Sequence, residues 1–196
     1  MKKRDLTFTI IGGEFRGKKL PLPSKATTRA TKSIIRGSVF DTLQFAIVDE
    51  IFIELFGGSG SMGLEALSRG AQKVYFFEKD RSAARILEQN AAALDKGRTR
   101  LVYGDSFEHF PLLTDSLKQQ GRAAYIYIDP PFDIREGMEG IYDRVVDLIA
   151  AIPPEIVLKI IVEHMSGVPF ADTIGPFQKE KSRKFGKTTV TYYSVA

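Results

Sequence analysis

A chain of 196 residues, 43% hydrophobic and 27% charged, is long enough for one well-buried core and ordinary in composition for a globular protein. It has no cysteine and only two histidines, His109 and His164, which removes disulfides, thiol nucleophiles, Cys-based metal centres and multi-histidine metal sites, so a metal-free mechanism is expected. No apolar run reaches the roughly 20 residues that cross a bilayer and no apolar stretch follows the basic start, from which a cytoplasmic protein is expected.

The net charge of +4 is unevenly spread: residues 1–36 hold ten Lys or Arg against Asp5 and Glu14, and the remaining residues are net negative. A basic arm on a mildly acidic body suits a polyanionic partner. Residues 1–30 form this arm, with β-prone pieces at 8–11 and 18–22 broken by Gly12, Gly13, Gly17, Pro21 and Pro23, a hairpin-like pattern. Helical spacing of Ile34, Ile35, Val39 and Leu43 then predicts a helix over 31–45.

From there strands and helices alternate: strand 51–55, helix 61–69, strand 73–77, helix 81–94, strand 100–103, helix 107–119, strand 124–128, helix 138–152 and strand 156–163. Two closing strands, 177–185 and 188–195, flank Gly186-Lys187 as an antiparallel hairpin, with a second basic run at Lys179, Lys181, Arg183, Lys184 and Lys187. Such alternation predicts an α/β domain over 31–196 with a mostly parallel sheet, whose ligands sit outside the carboxyl ends of the strands.

Those strand ends carry the chemistry. The first ends in Glu54-Leu55-Phe56-Gly57-Gly58-Ser59-Gly60, a turn that lets the backbone approach a ligand. The second ends at Glu78, placed to accept both hydroxyls of a ribose, and the third in Gly104-Asp105-Ser106, where a carboxylate can accept from an adenine amino group. The fourth runs into Asp129-Pro130-Pro131-Phe132. Two prolines remove two backbone donors and leave a row of acceptors suited to a planar amino group, and Phe132 offers a face on which a base can stack.

Together these residues resemble class I methyltransferases, whose fold is Rossmann-like with seven strands, the last antiparallel; here a small N-terminal β arm is added. Asp129–Phe132 is similar to the D/N-P-P-Y/F signature of enzymes that methylate planar amino nitrogens. The blocks at 11–20, Arg29-Ala30-Thr31 with Arg36 and Phe40, 55–60 and 63–71 resemble the RsmD family more closely. That family methylates N2 of a guanine in 16S ribosomal RNA. The chain departs from it in having Ala30, Ser33, Ile34 and Gly37 for the usual Pro, Asp, Arg and Glu, Gly57 for Ala, and Glu54 for Asp.

The resemblance implies an S-adenosylmethionine site of Glu54, Phe56, Gly57, Gly58, Ser59, Gly60, Met62, Glu78, Lys79, Asp105, Ser106 and Phe107. It implies a catalytic tetrapeptide of Asp129, Pro130, Pro131 and Phe132. Phosphates would fall to Arg16, Lys18, Lys19, Arg29, Thr31, Arg36, Arg183 and Lys184. The expected partner is 16S rRNA, a small ribosomal subunit or its assembly intermediate, met by a monomer and not at a membrane. The alternatives are a DNA adenine-N6 methyltransferase, a protein glutamine-N5 methyltransferase, and a non-enzymatic RNA-binding ribosome-assembly protein.

Overall fold

The computed structural model describes residues 6–23, 33–132 and 137–196. The chain divides into two compact units, Met1–Ser106 and Phe107–Ala196.

The first unit opens with a short antiparallel hairpin, β1 (Thr7–Thr9) and β2 (Lys19–Pro21), in register Phe8↔Leu20. Helix α1 (Ser33–Leu43) follows, then β3 (Ile51–Leu55), α2 (Ser61–Ser68), β4 (Lys73–Glu78), α3 (Arg81–Leu94) and β5 (Thr99–Tyr103). The strands are parallel in the order β5-β4-β3. All five residues of β3 are buried, because helices cover both faces of such a sheet. Helix α2 lies directly on β4: a Cβ at Gly63 would stand 2.3 Å from the Phe76 ring and 2.7 Å from Val74. Asp80 caps α3, its Oδ1 accepting from the Ser82 and Ala83 amides at 2.9 Å each.

The loop between β1 and β2 is fastened to the last turns of α2. Glu65, fully buried, accepts from the amides of Ile11 (2.9 Å) and Gly12 (2.8 Å) and from Arg69 Nε (2.8 Å). Ser68 Oγ accepts from the Phe15 amide at 2.9 Å and donates to the Gly12 carbonyl at 2.6 Å. A Cβ at Gly13 would lie 1.8 Å from the Ser68 carbonyl oxygen, and Gly13 has φ +77°, so only glycine fits there. Arg36 of α1 completes the cluster. It is 2% exposed, donates from Nη2 to the Thr9 carbonyl at 2.8 Å, and sets Nε 3.5 Å from Glu65.

The second unit contains α4 (whose span, Ser106–Gln119, begins at the unit boundary), β6 (Ala124–Ile128), α5 (Ile141–Ala150), β7 (Val157–Met165), β8 (Thr173–Ile174), β9 (Phe177–Phe185) and β10 (Thr188–Val195). Its strand order is β6-β7-β10-β9-β8. Strand β6 is parallel to β7, and β10 runs antiparallel to β7 and to β9, so the expected antiparallel last strand is present. His164, 3% exposed, packs in this sheet: Nδ1 donates to the Met165 carbonyl at 3.0 Å and Nε2 accepts from Thr191 at 2.9 Å. Burial lowers its pKa, which disfavours the charged ring.

Among the described residues, β3 to β10 are eight strands against the seven expected; the addition is β8, whose two residues pair with Phe177 and Gln178. The fifth expected helix, 138–152, is shorter, closing at Ala150 after an N-cap at Gly140.

Because Glu65 neutralises a buried guanidinium and satisfies two loop amides, Glu65→Leu is expected to cost about 3–5 kcal/mol. The urea unfolding midpoint reads this out, and a midpoint equal to the parent's would contradict it.

Candidate active site

At the end of β3 the chain makes a tight turn. Phe56 has φ +60°, Gly58 +54° and Gly60 +75°. For a residue with a side chain, the left-handed region costs about 1–3 kcal/mol, and such strain is concentrated at ligand sites. The turn is closed by Gly60 N–H to the Gly57 carbonyl and tied to β4 by Gly57 N–H to the Phe77 carbonyl, both 2.7 Å. Ser106, buried at the start of α4, accepts the Phe56 amide at 3.2 Å. A Cβ at Gly57 would meet Leu87 Cδ1 at 3.0 Å, so the family's usual alanine would need Leu87 to shift. Asn90 of α3 donates to the Ser59 carbonyl (3.3 Å) and to the Pro21 carbonyl of the hairpin (3.0 Å).

Glu78 is the group best prepared for a ligand. Its Oε2 accepts from the Gly58 amide and its Oε1 from the Asp80 amide, both at 2.7 Å. Each carboxylate oxygen offers about two acceptor positions, so two backbone bonds leave capacity for two further donors. A vicinal diol presents two donors, and the ribose of a nucleoside cofactor fits this chemistry. Asp105 lies at the neighbouring strand end, 24% exposed, with Lys79 Nζ 3.4 Å from its Oδ2.

Glu54, Met62 and Phe107, also expected at the cofactor, have contacts within the protein. Glu54 is 4% exposed and points to the first turn of α2, where Oε2 accepts from the Gly63 amide at 2.7 Å. Burial pushes its pKa up to about 8, against the opposing effects of the Gly63 and Met62 amides and of Arg36. Glu54 therefore braces the helix that follows the turn. Met62 is fully buried and belongs to the core. Phe107 has the Arg144 guanidinium 3.9 Å above its ring.

In the second unit Asp129, Pro130, Pro131 and Phe132 follow β6 directly, Pro130 buried and the other three half-buried. Of the expected phosphate contacts, Arg16, Lys18, Lys19, Arg183 and Lys184 are exposed. Lys18 Nζ also donates to the Ala93 carbonyl, and Arg183 and Lys184 lie on β9. Arg36 is a correction. Its guanidinium is inside the Thr9–Glu65 cluster and presents no charge to solvent. Arg29 and Thr31 lie outside the described residues.

Sequence reasoning missed Glu65, Ser68 and Asn90, although an acid among Met62, Leu64, Ala66 and Leu67 of α2 was a visible signal of a buried partner.

The family described as conserved hypothetical protein 95 matches residues 8–194. Over 124 residues the chain is 39% identical to "Ribosomal RNA small subunit methyltransferase D" of Escherichia coli (strain K12), covering 63% of this chain and 59% of that protein; it thus spans less than two thirds of that relative's length. Against YlbH of Bacillus subtilis (strain 168) it is 26% identical over 188 residues, 94% of this chain and 97% of that one. The solved structure of yhhF from Escherichia coli superposes with a TM-score of 0.73 at 28% identity, covering 96% of this chain and 98% of that one.

The Glu54 shift has a readable sign. In the unfolded chain the group loses its proton near 4.5, whereas in the fold it holds it to about 8. The native state therefore binds more protons across that window, and this group's contribution to stability falls as pH rises through it. Glu54→Gln is expected to lose less thermal stability than the parent between about pH 5 and pH 8; parallel Tm–pH curves would contradict this.

Proposed function

The chain belongs to the RsmD family of class I methyltransferases, matched as conserved hypothetical protein 95, and on that premise we propose that it methylates the exocyclic N2 of a guanine in 16S ribosomal RNA, using S-adenosylmethionine. The observation that carries the cofactor reading is Glu78, whose two oxygens are each aimed by a backbone amide. The name of the Escherichia coli relative supports the RNA and the small subunit as target.

Glu78 would hold the ribose hydroxyls and Asp105 the adenine amino group, beside the Gly57–Gly60 turn. When bound, the cofactor supplies an activated methyl on a sulfonium. A guanine N2 lone pair is delocalised into the ring and is a weak nucleophile. Asp129 and the Pro130 carbonyl would accept its two N–H groups, directing the lone pair and stabilising positive charge as it develops on nitrogen. Asp129 would then take the proton or pass it to water. Phe132 would stack on a base swung out of its helix. Arg16, Lys18, Lys19, Arg29, Thr31, Arg183 and Lys184 would hold phosphates, with residues 1–30 serving as a basic arm on the 31–196 domain. On this reading the protein works in the cytoplasm as a monomer, on rRNA, the small subunit or an assembly intermediate.

Transfer of labelled methyl to 16S rRNA, small subunits and DNA, followed by nucleoside analysis, is expected to yield N2-methylguanine from one or both of the first two and none from DNA; label in DNA alone would refute the proposal. Asp129→Ala should abolish transfer while leaving cofactor affinity within about threefold of the parent. Glu78→Ala should weaken cofactor binding about tenfold or more, the scale of hydrogen bonds to a charged group. Calorimetry separates the two, and a Glu78→Ala affinity equal to the parent's removes the ribose assignment.

A further inference from the structure

The carboxyl end of β6 has an acidic neighbour on the adjacent strand. Strands β6 and β7 are parallel, with Tyr127 opposite Ile161 and Ile128 opposite Val162. The next residues along the two chains are Asp129 and Glu163. Side chains alternate along a strand, so Tyr127 shares a face with Ile161, and Glu163, two residues on, shares it as well. The Tyr127 hydroxyl donates to Glu163 Oε2, which fixes this arrangement. Glu163 is 6% exposed and ends an otherwise apolar run, Ile160-Ile161-Val162. A second carboxylate thus stands beside the Asp-Pro-Pro-Phe strand end, on the strand that pairs with it.

A strand tie alone would not need a carboxylate, since a buried acid is costly to desolvate and an amide or hydroxyl would accept from Tyr127 as well. The donor pattern of guanine supplies a reason for one. Its Watson–Crick edge presents N1–H beside the two hydrogens of N2, three donors in a row, whereas adenine presents a bare N1 acceptor beside its amino group. With Asp129 and the Pro130 carbonyl assigned to the amino group, the acid on the strand paired with β6 is a neighbour available to the adjacent ring position. A carboxylate there attracts N1–H and repels a lone pair. Tyr127 occupies one acceptor position of Oε2, and an oxygen with two lone pairs can accept a second donor.

We infer that Glu163, positioned by Tyr127, is the residue that selects guanine, by accepting N1–H of the base whose N2 is methylated. This rests on the methyltransferase reading above and names the specificity determinant of that same site.

The test uses the full chain and small-subunit RNA in which the mapped target guanine is replaced by 2-aminopurine, which keeps the 2-amino group and carries an acceptor at N1. The parent protein should favour guanine by about a hundredfold or more in kcat/KM, as expected of a site built to bond a group its competitor lacks. Glu163→Gln, whose amide can donate to a bare N1, should lose about tenfold or more on guanine and retain little preference between the two bases. Tyr127→Phe keeps the carboxylate and should keep the sign of the preference while reducing its size. Cofactor affinity should be the same in all three proteins. A parent protein that methylates both bases equally well overturns the inference without needing any variant. So does a Glu163→Gln protein with the parental ratio. Absence of N2-methylguanine from the parent reaction on unmodified RNA would instead overturn the reaction itself, so the two failures are distinguishable.

Discussion

The two hydrogen bonds into Glu78 are the constraint on which the first unit's site depends. One comes from Gly58, in the turn that ends β3, and the other from Asp80, which caps α3. A single carboxylate thereby couples the glycine turn to the helix that follows the next strand. Fixing an acceptor in advance avoids the ordering cost that a mobile side chain would incur on binding. The strained Phe56 backbone, the Gly57 bond to Phe77 and the Glu54 brace on α2 all hold the turn to the same shape. Glu54 and the glycine turn thus brace one another, and Glu78 and Asp105 present carboxylates at the two neighbouring strand ends.

The N-terminal signature has a similar division of labour. Read as sequence, residues 11–20 and 63–71 are two separate family blocks; folded, they meet, with Glu65 and Ser68 receiving the amides of Ile11, Gly12 and Phe15. The glycines at 12 and 13 permit that approach: a Cβ at Gly12 would meet the Arg69 guanidinium at 2.6 Å. Much of the signature is thus a clamp of chain against helix. Charge alone could not reveal this. Arg36 counts toward the basic stretch 1–36 in the sequence, yet its guanidinium is engaged by Thr9 and Glu65, while Arg16 and Lys19 keep their charges at the surface.

What is legible in the sequence follows from these physical differences. Parallel strands buried on both faces read as short apolar runs, so β3, β4, β6 and β7 stand out from the residue pattern alone, as do Glu54, Glu78 and Asp129 at the ends of the first three of them. The β9–β10 hairpin stands out through the alternation of Thr188, Val190 and Tyr192 against Thr189, Thr191 and Tyr193. Strand β8 does not, because two residues carry no period. The Tyr127–Glu163 bond is equally hidden, since it depends on the register of two strands separated by a helix. The raised pKa of Glu54 depends on burial by neighbours from other elements and has no signature at position 54 itself.

The most direct test is calorimetric binding of S-adenosylhomocysteine to the unaltered protein, compared with its 2′-deoxyribose counterpart. If a Glu78 carboxylate oriented by Gly58 and Asp80 receives the ribose, removal of one hydroxyl should weaken binding about tenfold or more. Equal affinity for the two would show that the ribose lies elsewhere and that these two backbone bonds serve the fold alone.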